Sequence, residues 1–222
     1  MLIASRNSAS DKPVPYDAEV EWLEFTGTQW IDTGFYANGG MILETRANQI
    51  DGKFVIGSIR GNNGAAADAS RNQIGFHRRS QYFNVDGYEF TKLAAYGTNT
   101  NALCYPCEVS DTTPHTMYLN TIGTSLIAKV DGQTIYSGTT GTLGQQTNSV
   151  KISRSDYSGS VSKGRFFYVK LWDATDILVR DLIPVRFTNE QGVSEGAMYD
   201  RTSDKLFRNA GTGAFTIGPD KQ

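Results

Sequence analysis

The sequence predicts an all-β chain, a two-sheet antiparallel β-sandwich of jelly-roll type. Three observations carry that expectation. Residues 164–187 alternate apolar and polar side chains with a period of two, in aromatic and β-branched residue types. Three Asp-Gly pairs stand between short alternating runs, where a tight hairpin turn needs positive φ at both central residues. No stretch of 10–15 residues shows helical spacing between strands, so a parallel α/β layout is not expected.

The chain has 222 residues, enough to bury about 70% of its unfolded surface in one core. Hydrophobic residues are 39% and charged residues 20%, a globular balance. With 23 glycines and 11 each of Tyr and Phe, many short strands joined by many turns are expected. The net charge of −2 argues against nucleic-acid binding through a basic surface. No apolar run approaches the ~20 residues of a membrane span. Residues 1–18 carry Arg6, Pro13 and Pro15 and no apolar stretch of signal-peptide length. They read as an arm or tether, with one sandwich domain over 19–218 and a tail over 219–222.

Residues 19–25, EVEWLEF, open the sandwich. Val20 and Trp22 fall on one side and Leu23 and Phe25 on the other, so both faces are covered or a bulge intervenes. Residues 29–35 continue extended to a break at Asn38-Gly39-Gly40. Asp51-Gly52, Asp86-Gly87 and Asp131-Gly132 then predict three consecutive hairpins. Residues 60–72, 139–148 and 155–163 read as polar loops, and 94–113 as a long excursion with little period. Residues 116–120 and 150–153 are short strands.

In 165–173, four aromatics occur in nine residues. Phe167, Val169 and Leu171 are expected on one face, and Phe166, Tyr168, Lys170 and Trp172 on the other. Residues 173–176, DATD, turn the chain. The strand over 177–187 is expected to place Ile177, Val179, Ile183 and Val185 together. Residues 198–200 and 206–208 form a hairpin, and 215–217 the last strand.

Two blocks carry a resemblance. They are YDAEVEWLEFTGTQWIDTGF (16–35), and GRFFYVKLWDATDILVRDLIPVRF with EGAMYDRTSDKLFRNAGTGAFTIG (164–218). Together they resemble the LamG-like, concanavalin A-like jelly-roll domains of phage structural proteins and gut-bacterial surface proteins. The match spans roughly a third of the chain. It implies two antiparallel sheets with the first and last strands as neighbours. It also implies a binding or virion role rather than an enzymatic one, and it brings no set of functional residues with it.

The catalytic patterns sought are not found. Glycan hydrolysis on such folds needs two facing carboxylates, in the glucanases from an E-x-D-x-x-E strand; Glu19, Glu21 and Glu24 come nearest. Their simpler reading is a charged strand exterior. There is no G-x-S-x-G and no phosphate-cradling glycine loop opening a helix, so neither an acyl-transfer site nor a nucleotide cofactor is expected. Cys104 and Cys107, spaced CYPC, are half a zinc site at most; free thiols, a local disulfide, a redox role and a metal role completed by His77 and His115 all stay open. Sugar rings stack on exposed aromatics beside polar residues, which singles out Arg78, Arg79, Tyr82, Phe83 and Tyr157 as candidate ligand residues. Trp22, Trp30 and Trp172 read as packing residues. Arg180 and Asp181 interrupt an apolar strand and must be partnered if covered. They are either an inter-strand ionic network fixing register or a ligand anchor.

The expected function is a non-enzymatic virion or surface structural protein, docking to other virion or surface proteins through residues 1–18. Recognition of host or environmental glycans is the alternative. The place is a phage particle, or else a bacterial surface or the medium, and a homo-oligomer is compatible with either.

Overall fold

The computed structural model describes residues 13–51, 54–59, 73–79, 92–96, 103–105, 113–139, 143–154 and 161–222. Its strands begin with β1 (Ala18–Glu19), β2 (Leu23–Thr26), β3 (Ile31–Asp32), β4 (Ile42–Asp51), β5 (Phe54–Ile59) and β6 (Gln73–Arg79). They continue as β7 (Lys92–Tyr96), β8 (Leu103–Tyr105), β9 (His115–Asn120), β10 (Ser125–Val130), β11 (Gln133–Thr139) and β12 (Lys151–Ile152). The last are β13 (Lys163–Trp172), β14 (Leu178–Thr188), β15 (Ser194–Asp200), β16 (Lys205–Phe207) and β17 (Thr216–Ile217). No helix occurs among the described residues.

The strands form two antiparallel sheets. The larger runs β11-β10-β9-β4-β13-β14-β15-β16, with β1 on β14 and with β2 between β13 and β17. The smaller runs β3-β12-β5-β6-β7-β8. The main core draws on both sheets: Leu23, Phe25, Leu43, Leu119, Val169 and Leu171 come from the larger, and Ile31, Ile56, Ile74, Phe76 and Ile152 from the smaller. Phe25 sits at its centre, edge-on to Phe166 at 4.9 Å and to Phe215 at 4.7 Å. Burying each such side chain contributes about 1.5–3 kcal/mol.

A second, smaller cluster of Ile183, Val185, Phe187, Ala197 and Tyr199 lies on β14 and β15. Tyr16 covers it, with its ring edge-on to Tyr199 at 4.9 Å. β14 is therefore apolar on both faces because both are packed, as Leu182 faces the main core and its neighbour Ile183 the second cluster.

The opening strand is bent. β1 pairs with β14 and β2 with β13 and β17, and the bend brings Val20, Leu23 and Phe25 all into the main core. The opening and closing segments are neighbours: β17 pairs with β2, Ile217 opposite Leu23, and Asp220 is bridged to Val20. The sheet extends beyond 19–218: the Asp17 amide donates to the Arg186 carbonyl and the Lys221 amide to the Glu19 carbonyl.

Bulges overturn the strict alternation expected of the two long strands. On β13, Phe166 opposes Ala47 and Tyr168 opposes Arg46, leaving Phe167 unopposed. Phe166 is therefore buried on the side of Val169 and Leu171, while Phe167 turns half out under the Arg46 guanidinium at 5.8 Å. On β14, Leu171 opposes Arg180 and Trp172 opposes Leu178, so Val179 is the extra residue and packs against the main core. Ile177 does not join the strand; it is 61% exposed in the turn.

The Asp-Gly pairs divide. Asp131-Gly132 is a hairpin turn between β10 and β11, with φ of 49° and 80°. Asp51-Gly52 is not, because β4 already lies between β9 and β13 while β5 pairs with β6 and β12. The chain there changes sheets. Asp86-Gly87 lies outside the described residues. The expected excursion over 94–113 contains paired strand, since β7 ends at Tyr96 and β8 lies opposite it, with Cys104 facing Ala94.

Candidate functional site: a cleft beside the terminal strands

The opening and closing blocks that carry the resemblance are bonded to each other. Gln29, 2% exposed, accepts the amide and hydroxyl of Thr26 through Oε1 and donates from Nε2 to the Ala214 carbonyl at 2.9 Å. Thr28 and Thr212 exchange bonds at 2.8 and 3.1 Å. The Ala210 amide donates to the Trp30 carbonyl at 2.9 Å. Asn209 closes its own loop, accepting from the Gly211 amide and donating to the Gly213 carbonyl. A Cβ at Gly211 would stand 2.1 Å from the Thr28 carbonyl oxygen, so only glycine permits this approach.

That stapled loop forms one wall of a cleft of about 390 Å³. Arg208, Asn209, Gly211 and Gly213 supply its polar side, and Ala214, Phe215 and Ile217 its apolar side. Val193, Ser194, Glu195 and Gly196 form the facing wall. Val193 is 54% exposed at the lip. β16 pairs only with Met198–Asp200, so the outer edge of residues 194–197 has no strand partner among the described residues.

Two charged residues belong to this lining. The Arg208 guanidinium lies over the buried Phe187 ring at 4.5 Å, and no carboxylate among the described residues pairs with it. Glu195 accepts from the Asn189 side-chain amide, and is the single acidic residue in the lining. One carboxylate does not make the facing pair that glycoside hydrolysis requires. Glu24 is bonded to Arg165 at 2.6 Å and Glu19 lies 3.7 Å from Lys221, so these two strand carboxylates are held by cations. The lining residues include a cation, a carboxylate and apolar side chains.

At the opposite end from the cleft-lining residues 194–196, β15 closes in a polar knot. Asp200 is fully buried and accepts from the Asp181 and Thr202 amides and the Thr202 and Ser203 hydroxyls. Arg180 Nη1 lies 3.7 Å from Asp200, while its Nε donates to the Thr33 carbonyl at 2.9 Å. Asp181 pairs with Arg201 at 3.1 Å. Arg180 thus ties β14 to the end of β15 and to the segment after β3, and Asp181 ties it to Arg201, just past β15. The Tyr199 hydroxyl donates to Asp204 at 2.8 Å, and this bond, with burial, pushes the phenol up to about 12.

The remaining candidates lie apart. Arg78 and Arg79 are in β6 of the small sheet, opposite Leu93 and Lys92, and no β6 residue lines the cleft. Tyr82, Phe83, Tyr157 and Cys107 fall outside the described residues. Trp172 is half-buried on β13 opposite Ile42. Trp22 is half-buried under Arg165 at 4.1 Å and Trp30 under Arg154 at 4.3 Å; both rings lie outside the main core and pack against the closing segment, Trp22 at Gly218 and Trp30 at Gly211. Sequence reasoning missed Arg208, Glu195 and Asn209. All three stand in the 195–218 run that carries the resemblance, which brought no functional residues with it.

No protein-family model matches the chain, and no curated protein sequence does.

Proposed function

We propose that this protein is a non-enzymatic structural or adhesion component of a virion or cell surface, docked to neighbouring proteins through its first residues. The observation that carries this reading is the meeting of both chain ends on Arg186. Its guanidinium pairs with Asp220 at 2.7 Å and approaches Asp17 at 3.9 Å. Thr188 adds a 2.7 Å bond to Asp17. The resemblance of both terminal blocks to phage and bacterial-surface sandwiches supports the same reading.

Removing residues 2–12 spares Asp17 and the Arg186 clamp. The shortened protein is expected to keep its thermal midpoint yet to stop co-sedimenting with the particle or envelope that carries it. Full incorporation of the shortened protein would defeat the proposal. The cleft favours a second reading, saccharide recognition, which is tested by binding of soluble sugars.

A further inference from the structure

We propose that the cleft receives an added β-strand, residues 2–6 of a second copy of this chain, paired to the outer edge of residues 194–197. This rests on the reading that the first residues dock to a neighbouring protein, and it names that neighbour.

The edge is formed and left open. The Asn189 amide donates to the Val193 carbonyl and the Arg201 amide to the Asp181 carbonyl. These bonds set the alternation along β15: odd-numbered residues bond to β14, and even-numbered residues turn their N–H and C=O outward. Met198 and Asp200 meet β16 there, opposite Phe207 and Lys205. Ser194 and Gly196 meet no strand among the described residues, because the chain turns away after Phe207 and bonds to Trp30 and Thr28. Gly196 is nevertheless buried. A buried backbone group without a partner is costly, and a strand laid along the edge supplies one.

The lining suits a strand. It lies on both faces of β15: Phe215 and Ile217 pack against Gly196 on the core side, while the Arg208 guanidinium reaches Phe187, the cross-strand partner of Glu195, on the other. A single ring held from one side cannot touch both, whereas a strand sends alternate side chains to each.

The first residues fit as the occupant. Residues 1–12 precede the described chain, a reach of roughly 40 Å when extended. Pro13, Val14 and Pro15 are exposed, so the chain has left its own surface there. Its root is held on the far edge of β14, where Asp17 bonds to Arg186 and Thr188, with β14 and β15 between it and the open edge. Donor and slot are therefore at separate places, the head-to-tail arrangement that links copies. Residues 1–4 are the one apolar run among the twelve, and Arg6 follows. In an extended segment Ile3 and Arg6 fall on opposite faces. Ile3 then meets Phe215 and Ile217, and Arg6 meets Glu195, which pairs with no cation among the described residues.

The test uses the protein shortened by residues 2–12 and a synthetic peptide of residues 1–12. The peptide is expected to bind, to shift the amide resonances of 194–197 and 214–217, and to slow hydrogen exchange at Ser194 and Gly196. Ser194→Pro removes an outward N–H without breaking a bond to β14, and should weaken the peptide about tenfold. Glu195→Lys should weaken it too, and a peptide carrying Arg6→Glu should restore the lost affinity. Thermal midpoints within a few degrees of the parent establish that the variants fold; if Ser194→Pro does not, the charge exchange carries the comparison. In sedimentation the full chain is expected to gain mass with concentration and the shortened chain to stay monomeric. A full chain that stays monomeric at every concentration would overturn the assignment to a second copy. A peptide that leaves 194–197 unmoved would end this inference, and docking to another protein would stand if the shortened chain still failed to co-sediment with its particle. Full incorporation of the shortened chain would end both.

Discussion

The Asn209 side-chain oxygen accepts the backbone amide of Trp30 at 3.2 Å, across 179 residues of chain. This bond and its neighbours convert two remote sequence blocks into one loop-on-loop staple. The staple positions the wall of the cleft. Asn209→Ala removes the acceptor for Trp30 and Gly211 and the donor to Gly213. A loss of about 1–3 kcal/mol is expected in urea unfolding. Asn209→Asp keeps the acceptor and should lose less. Equal losses in the two variants would show that the accepted bonds do not matter.

Asp200 organises the end of β15 in the same way. Asp200→Asn replaces one acceptor oxygen by a donor facing other donors. Bonds to a charged group are worth about 1.5–3 kcal/mol, and a loss of that size is expected. Chemical denaturation measures it, and an unchanged midpoint would remove the knot from the account of stability.

Phe25→Ala opens a cavity where three rings meet. A cost of about 3–5 kcal/mol is expected. Ile177→Ala, at an exposed turn position, should stay within about 0.5 kcal/mol of the parent. Similar losses at the two positions would contradict the assignment of core and turn.

Two carboxyls link stability to acid. At Asp173, the hydrogen bond from the Thr175 hydroxyl, then that from the Ile177 amide, hold the group below its ordinary value. At Asp131, burial opposes ionisation, but the His115 ring at 2.6 Å, the Thr116 amide and nearby positive charge outweigh it and lower the group as well. A carboxyl lowered in the folded state contributes stability that is complete above the unfolded value, about 3.9, and is lost as pH falls through the folded value. Melting curves between pH 5 and about 2 should therefore fall less steeply for Asp173→Asn than for the parent. Parallel curves would refute the linkage.

Tyr199 gives the opposite sign. Its hydrogen bond to Asp204, followed by burial, raises the phenol to about 12. The stability it contributes is complete below the ordinary value, about 10, and is lost as pH rises through about 12. Tyr16, Tyr118 and Tyr168 are raised as well, and spectroscopic titration should show a tyrosinate near pH 12 that is absent in Tyr199→Phe and shifted toward the ordinary value in Asp204→Asn. A late phenol that survives the Phe variant belongs to another residue.

Several features were legible without coordinates. Alternation in 164–187 and the lack of helical spacing specify strands, because a period of two can bury a face only in a sheet. The Asp131-Gly132 hairpin follows from local backbone preference alone. The candidate ligand residues follow from residue type and context, whereas Arg208 and Glu195 come to line one cleft only because β15 and the 208–217 segment meet in the fold.

The sequence by itself determined an all-strand chain with apolar faces and turns at defined places, since those depend on neighbours within a few residues. Only the tertiary structure decided that Phe167 turns outward while Phe166 is buried, that Asp51-Gly52 changes sheets, and that residues 29 and 214 share a bond. The reason is physical. A bulge is set by the partner strand, sheet membership by which edges are already taken, and a cleft by segments that meet only once the chain has closed on itself.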